Sequence, residues 1–310
     1  MASKTRGNLI HIARSAFLYQ GHDLSNPQIL ASSPLASSEN VSREFVRMTI
    51  ERFGRDPRLV VNDDASVDEI AEALQGVPQS SVPMLRRVIR AGRGPARRVV
   101  LIPGLHGCSH AYARLGSMLP DDREVVGWEH PGIDDRAPIP SGIDGIAELV
   151  SQGELEQAPE CPVDLVGYCI GGLVAHEVAR RLLEAGVDVV RVVLIDSHPA
   201  QAIRDSGLSI KLQVLAPIEV AKAKFQGRIE HRLVKIGVSQ LKALITHHDR
   251  RVDVDVSVVR TGGELAFGPL EPETWVDLAR SVDFLRIADV GHVELFRGRH
   301  EHRLQPLLAG

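Results

Sequence analysis

The chain has few cysteines, three among its 310 residues, and their spacing suggests no pairing. This count argues against a disulfide framework and agrees with a reducing compartment, so we expect a cytoplasmic protein. Long apolar runs are also missing, since none approaches the ~18 residues of a membrane-spanning helix. Polar side chains interrupt residues 1–21, which argues against a signal peptide. We therefore expect neither a membrane anchor nor an extracellular fold.

An excess of positive charge is missing as well, because 36 Lys and Arg face 40 Asp and Glu, for a net charge of −4. Domains that bind nucleic acid are usually basic, so we expect no such partner. Two small basic clusters, Arg86-Arg87 and Arg97-Arg98, are expected on the solvated surface. With 44% hydrophobic residues the chain can bury a full core, which predicts one large globular domain with an appendage.

After a break at residues 93–96 (RGPA), strand and helix patterns alternate to the end of the chain. This alternation predicts an α/β fold in which helices cover a mostly parallel sheet. We assign the domain to residues 98–310. Its strands are expected at 99–102, 125–128, 163–166, 189–195, 254–259 and 284–288.

Two segments fall outside this alternation. Residues 1–92 have helical patterns around 42–53 and 67–74 and a Ser-rich gap, which predicts a small helical N-terminal region. Residues 199–248 have helical character and no strand signal, although they lie between two strands of the sheet. An insertion of this size is typical of a lid over an active site, so we expect it to bound the substrate pocket.

The most informative motif is residues 167–172 (GYCIGG), because a predicted strand precedes it and a predicted helix follows it. A sharp strand-to-helix turn between small residues resembles the nucleophile elbow G-x-S-x-G, with Cys169 in the serine position. The helix that begins behind Cys169 directs the positive end of its dipole toward a thiolate. We therefore predict a thiol nucleophile at Cys169 and expect Cys108 and Cys161 to be inert.

A thiol nucleophile needs a base, and the base needs an acid that orients it. His292 follows the last predicted strand on a short loop, at the edge where open α/β sheets place their sites. Two acids follow strands at the same edge, Asp196 and Glu264. We prefer Asp196, because it ends the strand that comes next after the elbow, and Glu264 remains the alternative.

An acyl-transfer site also needs backbone N–H groups directed at the developing oxyanion. One is expected from Ile170, the residue after the nucleophile. The other is expected from the turn at residues 104–106, whose glycine permits a close approach.

Residues 98–310 resemble the thioesterase domains that end polyketide and nonribosomal peptide synthetases. The likeness lies in residues 101–107 (LIPGLHG), 167–173 (GYCIGGL), 193–199 (VLIDSHP) and 291–292 (GH). It implies an α/β-hydrolase fold, a triad of Cys169, Asp196 and His292, and an oxyanion hole at Leu105 and Ile170. It also implies an acyl substrate delivered by an acyl or peptidyl carrier protein, with no metal or cofactor held by the enzyme itself.

The cysteine departs from the family, in which most members have serine and a minority, including some that release products by ring closure, have cysteine. Dienelactone hydrolases and polyhydroxyalkanoate synthases also have a cysteine elbow, but both would prefer a later acid, where only Glu264 fits. The N-terminal region faintly resembles the latter half of a carrier protein. Its phosphopantetheine serine would fall near Glu39, with Ser37 and Ser38 close by, which argues against a working carrier.

These observations predict an enzyme that accepts an acyl chain on Cys169 and releases it by cyclisation, by transfer or by hydrolysis. Two alternatives remain open. One is a cysteine-dependent hydrolase of small esters or lactones, of the dienelactone hydrolase type. The other is a catalytically silent binding protein with the α/β-hydrolase fold.

Overall fold

The computed structural model describes most of the chain after residue 65, namely residues 66–75, 85–94, 96–105, 107, 109–131, 138–157, 161–206, 231–263, 270–292, 294–297 and 300–309. The chain divides into two compact units. The smaller comprises Met1–Pro83 and Lys224–Glu230, and the larger comprises Met84–Ala223 and His231–Gly310.

In the smaller unit, the structure describes one helix, α1 (Val67–Ala73), where the sequence predicts one. Ser66 caps it, since its Oγ accepts from the Glu69 backbone N–H at 3.3 Å and its own N–H donates to the Glu69 carboxylate at 2.7 Å. This reciprocal pair is a capping box, which explains why the helix begins at Val67. The helix predicted near residues 42–53, and the serines of the suggested carrier motif, Ser37 and Ser38, lie outside the described residues.

A seven-stranded sheet forms the centre of the larger unit, in the order β1-β3-β2-β4-β5-β6-β7. β1 is antiparallel to β3, and the other neighbouring strands are parallel. The strands are β1 (Arg86–Arg90), β2 (Arg97–Ile102), β3 (Arg123–Trp128), β4 (Val163–Tyr168), β5 (Val189–Ile195), β6 (Asp255–Gly262) and β7 (Ser281–Gly291).

Helices flank the sheet, and the alternation predicted from the sequence is present. In the larger unit they are α2 (Ala113–Met118), α3 (Gly142–Glu156), α4 (Ile170–Glu184), α5 (Ala200–Asp205), α6 (His231–Thr246), α7 (Glu273–Val276), α8 (Glu294–Arg297) and α9 (Gln305–Ala309). Two 3₁₀ helices, Ser109–Tyr112 and Glu301–Leu304, complete the larger unit's described helical elements. The mostly parallel sheet with flanking helices confirms the predicted α/β fold class.

The central strands are buried on both faces, as their uniformly apolar sequences predict. Within β2, Val100 and Ile102 join one hydrophobic cluster, whereas Val99 and Leu101 join another. Successive side chains of a strand point to opposite faces, so these clusters are the two layers of core above and below the sheet. Because β2 to β7 run parallel, their carboxyl ends lie at one edge of the sheet, where the candidate site lies.

The range 1–92, predicted to be helical, contains one strand of the sheet. β1 pairs with β3, with Arg87 opposite Gly127, so the sheet begins before residue 92. Three of the five residues of β1 are arginines, and such a run does not resemble a buried strand. This arginine-rich strand is stable because it lies at the edge of the sheet and acidic side chains contact its arginines.

The expectation that the two arginine clusters are solvated was wrong for Arg87 and Arg98. Both residues are at most 9% exposed. The Nε of Arg87 lies 3.3 Å from the Glu129 carboxylate. The guanidinium of Arg98 lies 2.6 Å from Glu124 and 3.0 Å from Glu154. These charges are buried as ion pairs, which is how buried arginine is normally tolerated.

The two described ends of the predicted lid segment, 199–248, are helical. They contain α5 and α6, which contact each other, and α6 also packs against α3. Residues 207–230 lie outside the described residues, so a lid over the site stays a prediction.

Candidate active site

Cys169 lies at the turn between β4 and α4, in a backbone conformation that is uncommon for a residue with a side chain. Its φ is 56° and its ψ is −127°. Its N–H donates to the Ile195 carbonyl at 2.8 Å, and the Ser197 hydroxyl donates to its carbonyl at 2.6 Å. Strained residues of this kind cluster at functional sites, where the surrounding contacts hold them. The contacts from β5 and its following loop supply that support.

Glycine is required on both sides of Cys169. A Cβ on Gly167 would lie 2.4 Å from the Gly171 carbonyl oxygen, and one on Gly171 would lie 2.4 Å from the Pro103 carbonyl oxygen. Without a Cβ at Gly167 the turn can close, and without one at Gly171 the loop after β2 can pack against the start of α4. The two segments predicted to form the oxyanion hole are therefore adjacent.

Asp196 and His292 contact each other directly. The Nδ1 of His292 lies 2.8 Å from Oδ2 of Asp196, although the two residues are 96 positions apart. Asp196 follows β5 with a φ of 48°, and its side chain is buried. The Thr261 backbone N–H donates to Oδ1 at 2.8 Å, and the Thr261 hydroxyl donates to Oδ2 at 2.5 Å. These bonds hold the carboxylate in the orientation that the histidine needs.

His292 contacts the other two members of the predicted triad. Burial lowers the pKa of His292, but hydrogen bonds to Asp196 and to the Cys169 side chain outweigh this effect and raise the pKa to about 9. An imidazolium beside a thiol stabilises the thiolate form. The structure thus brings Cys169, His292 and Asp196 together in the order that nucleophilic catalysis requires.

Tyr168, the residue before Cys169, is a part of this site that the sequence analysis did not single out. Its ring stacks on the His292 ring with the centroids 4.6 Å apart, and its hydroxyl donates to the His292 carbonyl at 2.9 Å. It also closes against the loop after β2, since a Cβ on Gly104 would lie 2.9 Å from the Tyr168 ring. One side chain therefore positions the histidine loop beside the elbow. Its place between a strand glycine and the nucleophile was the only signal in the sequence.

The predicted oxyanion residues occupy the expected segments. Ile170 is the first residue of α4, and Leu105 lies in the turn after β2, which the Gly107 N–H closes by donating to the Gly104 carbonyl at 2.8 Å. Glu264, the alternative acid, lies outside the described residues. Cys108 also lies outside them, whereas burial raises the pKa of the Cys161 thiol and so disfavours the reactive thiolate there.

The described part of the chain contains no helix that is both long and apolar enough to cross a membrane.

Residues 97–222 match the family model of the thioesterase domain. This match confirms the predicted resemblance to thioesterase domains.

Among curated proteins, the thioesterase-like chain is 35% identical over 113 residues to the spectinabilin polyketide synthase system protein NorC of Streptomyces orinoci, covering 36% of this chain and 5% of NorC. It is 30% identical over 136 residues to a dimodular nonribosomal peptide synthase of Bacillus subtilis, covering 43% of this chain and 6% of that protein. The chain thus spans less than a tenth of the length of these relatives.

Solved structures of thioesterases share the fold. The Vlm2 thioesterase domain, determined with a bound dodecadepsipeptide, aligns with a TM-score of 0.56 at 18% identity, covering 72% of this chain and 98% of that domain's chain. The type II thioesterase BorB, from the borrelidin biosynthetic cluster, aligns with a TM-score of 0.56 at 19% identity, covering 73% of this chain and 96% of BorB. These likenesses confirm the predicted α/β-hydrolase fold.

Proposed function

We propose that this protein takes a polyketide or peptide acyl chain from a carrier protein onto Cys169 and releases it, preferably by cyclisation or transfer and otherwise by hydrolysis. The observation that carries the proposal is the contact of His292 with both Asp196 and Cys169, at the turn where the thioesterase domain family has its nucleophile. The carrier partner is supported by the synthases among the relatives, and the acyl or peptidyl carrier protein is proposed to be a separate chain.

Before the attack, the Cys169 thiol proton passes to Nε2 of His292, or the two residues already exist as a thiolate and imidazolium pair, which the raised pKa of His292 favours. The thiolate attacks the carbonyl carbon of the incoming thioester, and the carbonyl oxygen becomes an oxyanion. The N–H groups of Leu105 and Ile170 are proposed to stabilise that charge. The bond to the phosphopantetheine sulfur then breaks, and His292 returns the proton to the departing thiol.

The acyl chain now forms a thioester with Cys169. Exchange of one thioester for another is close to energetically neutral, so the acyl-enzyme keeps an activation that a serine ester would lose. Retained activation favours demanding acceptors, such as an amine, a hydroxyl that closes a strained ring, or a carbanion. For an alcohol or amine acceptor, His292 removes the proton of the nucleophile as it attacks, and the Cys169 thiolate departs and is reprotonated.

Replacing Cys169 by serine is expected to leave the protein folded and to shift product toward hydrolysis. The reason is that an oxoester is a poorer acyl donor than a thioester to amines and carbanions. The measurement is the ratio of cyclised or transferred product to hydrolysed product, by chromatography and mass spectrometry, from a carrier-bound acyl chain. An unchanged ratio in an active Cys169→Ser protein would count against the role of the thioester.

A further inference from the structure

A small pocket lies beside the elbow, and one of its polar atoms has no partner. Most of the pocket is apolar, and its lining includes Trp128 on β3, Ile170 on α4 and Pro103 from the loop after β2. Three polar residues also line it: Glu129, His130 and Gln240. Ile170 directly follows Cys169, so the pocket begins one residue from the proposed nucleophile.

The unpartnered atom is the amide oxygen of Gln240, on α6. Gln240 is 3% exposed, and this oxygen has no hydrogen-bond partner within the ranges that the structure describes. Leaving a buried polar atom unpaired is costly, and native proteins do so rarely. Leucine or methionine would fill the same helix position without that cost, so the glutamine points to a ligand that supplies the missing bond.

The neighbouring carboxylate of Glu129 is not an unpartnered acceptor, because it already has hydrogen-bond and ion-pair partners. Glu129 accepts from the Ser109 hydroxyl at 2.8 Å and from the Ser109 N–H at 3.3 Å, and it pairs with Arg87. These contacts hold Glu129 in place as a wall of the pocket. The Gln240 amide oxygen, by contrast, is a buried acceptor without a hydrogen-bond partner among the described residues.

The chemistry and size of the pocket select one kind of group. Its free space of about 10 Å³ is the room that one water-sized group needs. A hydroxyl has this size, and it can donate to the amide oxygen or accept from the amide nitrogen, so it suits either rotamer of the Gln240 amide. An ammonium group would have to be desolvated among apolar walls, which is unfavourable.

We infer that Gln240 forms a subsite for a hydroxyl group on the acyl chain, so that the substrates of this site are hydroxylated acyl thioesters. This inference rests on the proposed function, because it needs an acyl chain on Cys169. Binding of the hydroxyl supplies the bond that the Gln240 amide lacks. A chain without the hydroxyl leaves the amide unpaired, and sites of this type reject such analogues.

The experiment measures the rate at which the full chain is acylated by N-acetylcysteamine thioesters of octanoate and of its 3-, 5- and 7-hydroxy derivatives. Rates are read by quench and intact-mass analysis. At least one hydroxy derivative is expected to react about tenfold faster than octanoate, the size of one hydrogen bond to a group otherwise left unpaired. Gln240→Met, which keeps length and removes the amide, is expected to abolish that preference.

Lys242→Leu is the matched control, since Lys242 lies on the same helix and is exposed. It is expected to keep the wild-type preference. Thermal unfolding supplies a second readout, because removal of an unpaired buried amide should leave the melting temperature unchanged or higher. If Gln240→Met does not fold, Gln240→Leu takes its place.

Equal rates for octanoate and all three hydroxy derivatives would overturn the subsite while leaving the proposed function intact. A preference that survives in Gln240→Met, or that is lost equally in Lys242→Leu, would overturn it as well. Failure of every thioester, octanoate included, to acylate Cys169 would instead contradict the proposed function on which the subsite rests.

Discussion

Replacing Asp196 by asparagine is expected to lower turnover of an acyl thioester by up to about 10⁴-fold, the loss measured for the equivalent change in a serine-protease triad. The carboxylate accepts from His292 at 2.8 Å, whereas an amide nitrogen facing that ring would favour the wrong tautomer. Steady-state kcat and kcat/KM measure the effect. Because the bond to Asp196 helps raise the pKa of His292, the pH profile should also shift to lower pH.

The matched control is Glu264→Gln, which is expected to change turnover little. Glu264 is the acid that an arrangement of the dienelactone hydrolase type would use. If Glu264→Gln caused the large loss and Asp196→Asn the small one, the acid assignment would be wrong, and the alternative hydrolase would be favoured.

Replacing Glu154 by leucine is expected to lower the free energy of unfolding by about 2–3 kcal/mol, because the buried Trp128 indole loses its acceptor and Arg86 and Arg98 must share Glu124. Glu154 is fully buried on α3. It accepts from Arg86 at 3.1 Å, from Arg98 at 3.0 Å and from the Trp128 indole at 2.7 Å. The measurement is urea unfolding followed by circular dichroism.

Glu156→Leu provides the control for that experiment, because Glu156 ends the same helix and is exposed. Its replacement is expected to change the free energy of unfolding by less than about 0.5 kcal/mol. A loss below about 1 kcal/mol in Glu154→Leu would show that these ion pairs do not stabilise the edge of the sheet.

Six of the seven strands could be predicted from the sequence, because their apolar runs are continuous and turn residues bound them. β1 could not. Its arginines are stable in a strand because side chains distant in the sequence pair with them, and the Arg86–Glu154 pair spans 68 positions. Charge partners at that distance depend on the completed fold, so a local reading of the sequence assigned the arginines to solvent.

The same distinction separates the parts of the candidate site. The elbow around Cys169 is a local motif, and the strand ends predicted that Asp196 and His292 share an edge. Thr261 and Tyr168 carried no such signal. Their roles depend on contacts across 65 positions to Asp196 and 124 positions to His292, which only the folded sheet creates.

The central claim, that Cys169 carries the acyl chain, is tested most directly by intact-mass analysis after brief incubation with an acyl thioester and rapid acid quench. The wild-type protein is expected to gain the mass of one acyl group, located by peptide mapping on the peptide that contains Cys169. Cys169→Ala, checked for folding by circular dichroism, is expected to gain none. Acylation that persists in Cys169→Ala, or a wild-type adduct that maps to Cys108 or Cys161, would contradict the account.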